Sequence, residues 1–133
     1  DPSGNPALSL GAWTTANEWA KYGVLVRDDG VFLGQQVLPP GLHDCFQGSE
    51  VNPAYGRTFW LNRDPRDSKV PGYGRRRSGR PLISDIAPDD LVMAAGANDQ
   101  RLYIVPSQDL VVVRLSDGAW GFDDEAQLAP FFD

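Results

Sequence analysis

Between residues 91 and 115 the sequence falls into three short apolar stretches, 91–96, 101–105 and 110–115, divided by Ala97-Asn98-Asp99-Gln100 and Pro106-Ser107-Gln108-Asp109. This pattern restricts the fold more than any other in the chain. Stretches of this length, rich in β-branched residues and bounded by turn formers, predict strands. Linkers this short leave no room for a crossover, so the three strands form an antiparallel meander. Leu102-Tyr103-Ile104-Val105 and Val111-Val112-Val113 are unbroken apolar runs. A strand of that kind needs cover on both faces, and helices are the expected cover for one of them.

The helices and an earlier strand come from the rest of the chain. Thr15-Ala16-Asn17-Glu18 has the form of a capping box, in which the Thr hydroxyl takes one orphan amide and the Glu carboxylate reaches back for another. A helix should therefore start at Thr15, carry Ala16, Trp19, Ala20 and Gly23 as a small-residue stripe, and stop before Asp28-Asp29-Gly30. Residues 35–40 predict a short extended stretch, and Pro39-Pro40-Gly41 a turn leading into a single helical turn over 42–46. Residues 55–62, with Tyr55, Thr58, Phe59 and Trp60, predict a strand. A last helix is expected over 121–127, capped by Asp124 and limited by Pro130. Helices at both ends around an antiparallel sheet define an α+β fold in a single domain covering residues 1–133.

Several function classes drop out on composition. One cysteine, Cys45, and one histidine, His43, exclude an internal disulfide and leave too few ligands for a zinc cluster or a histidine pair. No metal or cofactor is expected. No apolar run nears the ~18 residues of a membrane span, so none is expected either. His43-Asp44-Cys45 is tempting as a reactive-thiol site, but adjacent residues point in different directions, and a structural thiol is the simpler reading. The net charge of −6 argues against a chain built to coat nucleic acid. Residues 63–81 nonetheless hold seven basic residues against two acidic ones, a local +5 on an acidic body. Pro, Gly and Ser keep this stretch irregular, and no aromatic ladder accompanies its arginines, so it reads as a solvated basic surface loop.

The run from Leu91-Val92-Met93-Ala94-Ala95-Gly96 through Gln100-Arg101-Leu102-Tyr103-Ile104-Val105-Pro106 to Leu110-Val111-Val112-Val113-Arg114-Leu115 resembles the C-terminal sheet of serine hydrolases with the β-lactamase fold. It is most similar to their esterase and 6-aminohexanoate-oligomer hydrolase branch. Gly11-Ala12-Trp13-Thr14-Thr15-Ala16, with Trp19 and Gly23, resembles the helix start that precedes that sheet. The resemblance implies a C-terminal portion of such a domain, acting on a small ester or amide, in a bacterial protein of either periplasmic or cytoplasmic location. The opening Asp1-Pro2-Ser3-Gly4 reads as loop, in keeping with a start partway through a larger fold.

Such hydrolases attack with a serine activated by a lysine one helical turn away, use a tyrosine to relay the proton, and hold the oxyanion with two backbone amides. None of the eight serines here has lysine three residues later. Tyr22, Tyr55, Tyr73 and Tyr103 are followed two positions on by Val24, Arg57, Arg75 and Val105, never by the Asn or Ser of the family motif. No catalytic nucleophile is therefore expected within the chain. Where the family carries Lys-Thr-Gly or His-Thr-Gly at the substrate-edge strand, this sequence has Ala94-Ala95-Gly96. The resemblance implies Gly96 and Ala97 as the substrate edge and oxyanion amide, with Ala94, Ala95, Asn98 and Gln100 as possible substrate contacts. Loss of the cation at Ala94 speaks against a penicillin-like substrate. Trp60 and Tyr55 are candidates to line an acyl pocket. The competing reading is a non-catalytic interaction module of the same fold, prone to self-association or to binding a partner chain.

Overall fold

Thr15 caps the first helix by accepting the Glu18 amide at 3.2 Å, and α1 runs Ala16–Arg27. The Glu18 carboxylate takes the Lys21 ammonium at 2.7 Å. Gly23 and Val26 are the buried residues of this helix, whereas Ala16, the first member of the predicted stripe, is exposed. The computed structural model describes residues 14–71, 81–118 and 122–132. Several expectations therefore lie outside the described residues: the Gly11, Ala12 and Trp13 part of the family-like segment, Arg75, Arg76, Arg77 and Arg80 of the basic loop, and Gly121 at the last helix.

A two-residue turn at Leu33 and Gly34, both at positive φ, folds β1 (Val31–Phe32) onto β2 (Gln35–Gln36). This hairpin occupies part of the stretch expected to be simply extended. A 3-10 turn follows over Leu42–Phe46, as the sequence predicts.

Four antiparallel strands form the main sheet in the order β3-β4-β5-β6: β3 (Trp60–Leu61), β4 (Val92–Gly96), β5 (Gln100–Val105) and β6 (Leu110–Arg114). The meander lies where the apolar runs predict it, with Met93 opposite Tyr103 and Tyr103 opposite Val112. The earlier strand is much shorter than predicted. Only Trp60 and Leu61 pair with β4, and Tyr55 makes an isolated bridge back to Trp60. The Gly56 amide donates to Phe59 C=O at 2.9 Å, and the Arg57 amide to Cys45 C=O at 3.2 Å, so this backbone turns against the 3-10 segment and leaves the ladder. A Cβ on Gly56 would overlap the Cys45 carbonyl oxygen, which fixes glycine at that contact.

Both faces of the sheet are covered. On one, Leu61, Val92, Leu102 and Ile104 pack with Val26 and Phe59, flanked by Trp19, Phe46 and Val111. On the other, Met93, Tyr103, Val105 and Val112 pack with Ile83, Ala87 and Leu128 of α2 (Asp124–Leu128). Each such aliphatic side chain removed from water contributes on the order of 2 kcal/mol before the entropy of ordering it is deducted. Gly23 lets α1 lie close on the sheet, since a Cβ there would stand 2.5 Å from Val111 Cγ1. The cap of α2 is Asp123, accepting from the Glu125 amide at 2.9 Å, one residue before the expected Asp124. Antiparallel sheet and flanking helices together make this an α+β fold. No helix of the described residues is long and apolar enough to cross a membrane.

Candidate functional site

The shortness of β3 creates the site. β3 pairs with β4 only through Trp60–Met93 and Leu61–Val92, whereas β5 follows β4 as far as Gly96. Among the described residues no strand pairs with the outer edge of β4 from Ala94 to Gly96. The Asn62 amide donates to Leu91 C=O at 3.0 Å, so odd-numbered residues here direct their backbone polar groups toward β3. Two-residue alternation aims those of Ala95 the same way, past the point where β3 has ended.

A cleft of about 940 Å³ opens along this edge. Such a volume suits a small-molecule site. Ala94, Ala95 and Gly96 provide its small-residue floor, Trp19 and Thr14 one wall from the start of α1, and Tyr55, Thr58 and Trp60 another. Leu115, Ser116 and Asp117, just past β6, close the third side together with Gln100. The Tyr55 and Trp60 rings meet edge to face at 4.8 Å, an arrangement that holds both side chains in place. Asp117 is the only Asp, Glu, Lys, Arg or His among the described lining residues. A cleft lined this way can hold an apolar body against aromatic rings and hydrogen-bond an extended polar group along β4, but its described lining includes no lysine or histidine to activate a nucleophile.

The residues singled out from the sequence separate into two groups. Ala94, Ala95, Gly96 and Gln100 line the cleft, together with Tyr55 and Trp60. Ala97 and Asn98 are exposed in the 3-10 turn Ala97–Asp99 that joins β4 to β5, beside the cleft and not lining it. Gly96 has ordinary extended torsions, φ −109° and ψ 174°, so its use lies in space and not in backbone freedom. A Cβ there would come within 3.2 Å of Gln100 Cβ. The Gln100 amide is engaged at both ends: Oε1 accepts the Ser116 N–H at 3.0 Å, and Nε2 donates to the Ser116 carbonyl. Trp19 and the residues 115–117 were missed from sequence. Trp19 reads as a core residue of a helix stripe, and nothing local marks the chain just past β6 as a wall.

Two polar clusters lie away from the cleft. Tyr103 donates to Asp124 Oδ1 at 2.6 Å, and Arg101 Nε donates to the same oxygen at 2.8 Å. Burial, reinforced by the Asp124 charge, pushes the Tyr103 phenol far above its ordinary range, so it is a neutral donor that pins α2 to the sheet. His43 places Nε2 at 3.1 Å from Val26 C=O and 2.9 Å from Arg27 C=O, closing the end of α1, while Cys45 packs on the Leu102 side of the sheet. The thiol and the imidazole thus serve different contacts. Compared with protein-family models, with curated proteins and with solved structures, the chain gives no match.

Proposed function

We propose that this chain furnishes the substrate-edge wall of a β-lactamase-related serine hydrolase of the esterase or amidase type, the attacking serine coming from a segment outside these 133 residues. One observation carries the reading: a cleft of ligand size runs along the unpaired half of β4, floored by the Ala94-Ala95-Gly96 that stands where the family resemblance locates its substrate-edge motif. An acyl group lying along that edge would meet the backbone N–H of Ala95, and the family resemblance adds the N–H of Ala97, in the turn just past the end of β4. Main-chain donors fixed in a sheet stabilise a developing oxyanion without reorganising, which is what acyl transfer demands of them. Small side chains on the floor let the carbonyl approach, and the aromatic walls take up its apolar part.

The test is activity-based labelling of the protein as its native gene produces it, followed by peptide mapping. A fluorophosphonate is expected to label one serine, within a Ser-x-x-Lys sequence outside the residues numbered here, and to leave the isolated 133-residue chain unlabelled. Proline at Ala95 or at Ala97 deletes one edge amide, and at least one of the two should slow labelling by about 10²-fold. A labelled serine inside this chain, or labelling indifferent to both prolines, overturns the proposal. Absence of any labelled serine in the native protein replaces it with the non-catalytic binding module.

A further inference from the structure

The β5–β6 ladder ends at Arg101 opposite Arg114, yet the chain beyond it stays beside Gln100, at the start of β5, and Asn98 of the preceding turn. What holds it there is the Gln100 side chain. A primary amide carries the same donor and acceptor as a peptide group, and Gln100 uses both on the main chain of Ser116 in place of a strand partner. Two further bonds brace the segment, Arg114 to the Asp99 carbonyl at 2.6 Å and the Gly118 amide to Ser116 Oγ at 3.0 Å. Gly96, directly opposite Gln100, leaves the space in which that side chain lies across the end of the sheet.

From this geometry we propose that Gln100 is a positioning residue, and that the lip it latches, Leu115 to Asp117, selects ligands by the size of their apolar group. The inference rests on the reading of the cleft as an acyl-binding site. With both ends of its amide engaged, Gln100 offers a ligand no free polar group and acts through Ser116. Leu115, 49% exposed although it sits beside the aromatic walls, is the side chain that an apolar ligand would cover. Releasing the latch lets the lip swing away, so large apolar groups lose their contact while small ones lose little.

Binding to the 133-residue chain tests this without any turnover. Dissociation constants for 4-phenylbutyramide and for butyramide are measured by two-dimensional NMR, following the tryptophan indole and Ala95 and Gly96 amide signals. The wild-type chain should prefer the phenyl compound. Gln100→Ala should cut that preference about tenfold, the scale of one lost apolar contact. Leu115→Ala should do the same, and the double variant should cut it no further, because both act through one lip. Gln100→Glu keeps the acceptor for the Ser116 amide and should fall between wild type and alanine. Equal weakening of both compounds by Gln100→Ala, additive losses in the double variant, or no binding to the wild-type chain each overturns the proposal. The hydrolase reading fails separately: selective binding with no labelled serine in the native protein removes the chemistry and leaves the lip.

Discussion

Asn62 shows how much a single buried polar side chain organises here. Its Oδ1 accepts the amides of Ile83 and Ser84 at 2.9 and 3.1 Å, and its Nδ2 donates to the Ser84 carbonyl at 2.9 Å. The segment that returns the chain to β4 is thereby tied to the end of β3, with Ser84 fully buried. Water cannot replace these bonds once the side chain is cut back, so Asn62→Ala strands two buried amides. Chemical denaturation should show a loss of about 3 kcal/mol, with Asn62→Asp recovering part of it. Gln100 performs a related task at the opposite end of the sheet, where it holds mainly Ser116, with a longer 3.5 Å bond to the Asn98 carbonyl, and its surroundings are half open. Neither role is visible locally: a polar residue that closes an apolar run reads as a turn former until the distant backbone it binds is known.

At the scale of elements, the parts readable in sequence are those set by local physics. The Thr15 cap, the single turn at Leu42–Phe46 and the three meander strands all follow from side-chain spacing and turn residues. The parts that escaped were decided by contacts across the chain. Residues 55–59 have strand-forming types, yet Gly56 and Arg57 pack on the Cys45 carbonyl and turn out of the ladder. The expected cap, Asp124, is claimed by Tyr103 and Arg101, and Asp123 caps the helix in its place. The cleft's floor, Ala94 to Gly96, and its Tyr55 and Trp60 were in view through the family resemblance and the aromatic strand, while Trp19 and residues 115–117 come from distant stretches that carry no local sign of it.

The junction after α1 adds an electrostatic consequence at this same scale. The Arg27 guanidinium holds the Asp28 carboxyl below its ordinary range, and amides of Gly41 and Leu42 do the same for Asp29, which stands at positive φ. Carboxylates depressed in the folded state contribute stability above their unfolded value of about 4 that disappears as acid titrates them in the fold. Stability should therefore be level from neutral pH to roughly pH 5 and fall below about pH 4, and Asp29→Asn should make the acid limb shallower. An unchanged acid limb in that variant, followed by circular dichroism, would mean the amide cluster contributes nothing.

Over the whole molecule, β5 is the common member of both cores. Leu102 and Ile104 face one, Tyr103 and Val105 the other, and all four are inaccessible to solvent. Neither core can loosen without withdrawing the strand that completes its neighbour, so heat should melt the described body in one calorimetric transition whose van't Hoff and measured enthalpies agree.

The bare margin of β4 has a bearing on handling as well as on chemistry. A three-residue edge on which Ala95 turns its backbone N–H and C=O outward, beside aromatic rings, is as welcoming to a second molecule as to a ligand. Two chains zipped together there would stay natively folded while each plugged the other's recess. On prolonged storage at high concentration, affinity for small amides should decay ahead of any change in ellipticity, and dilution should restore it.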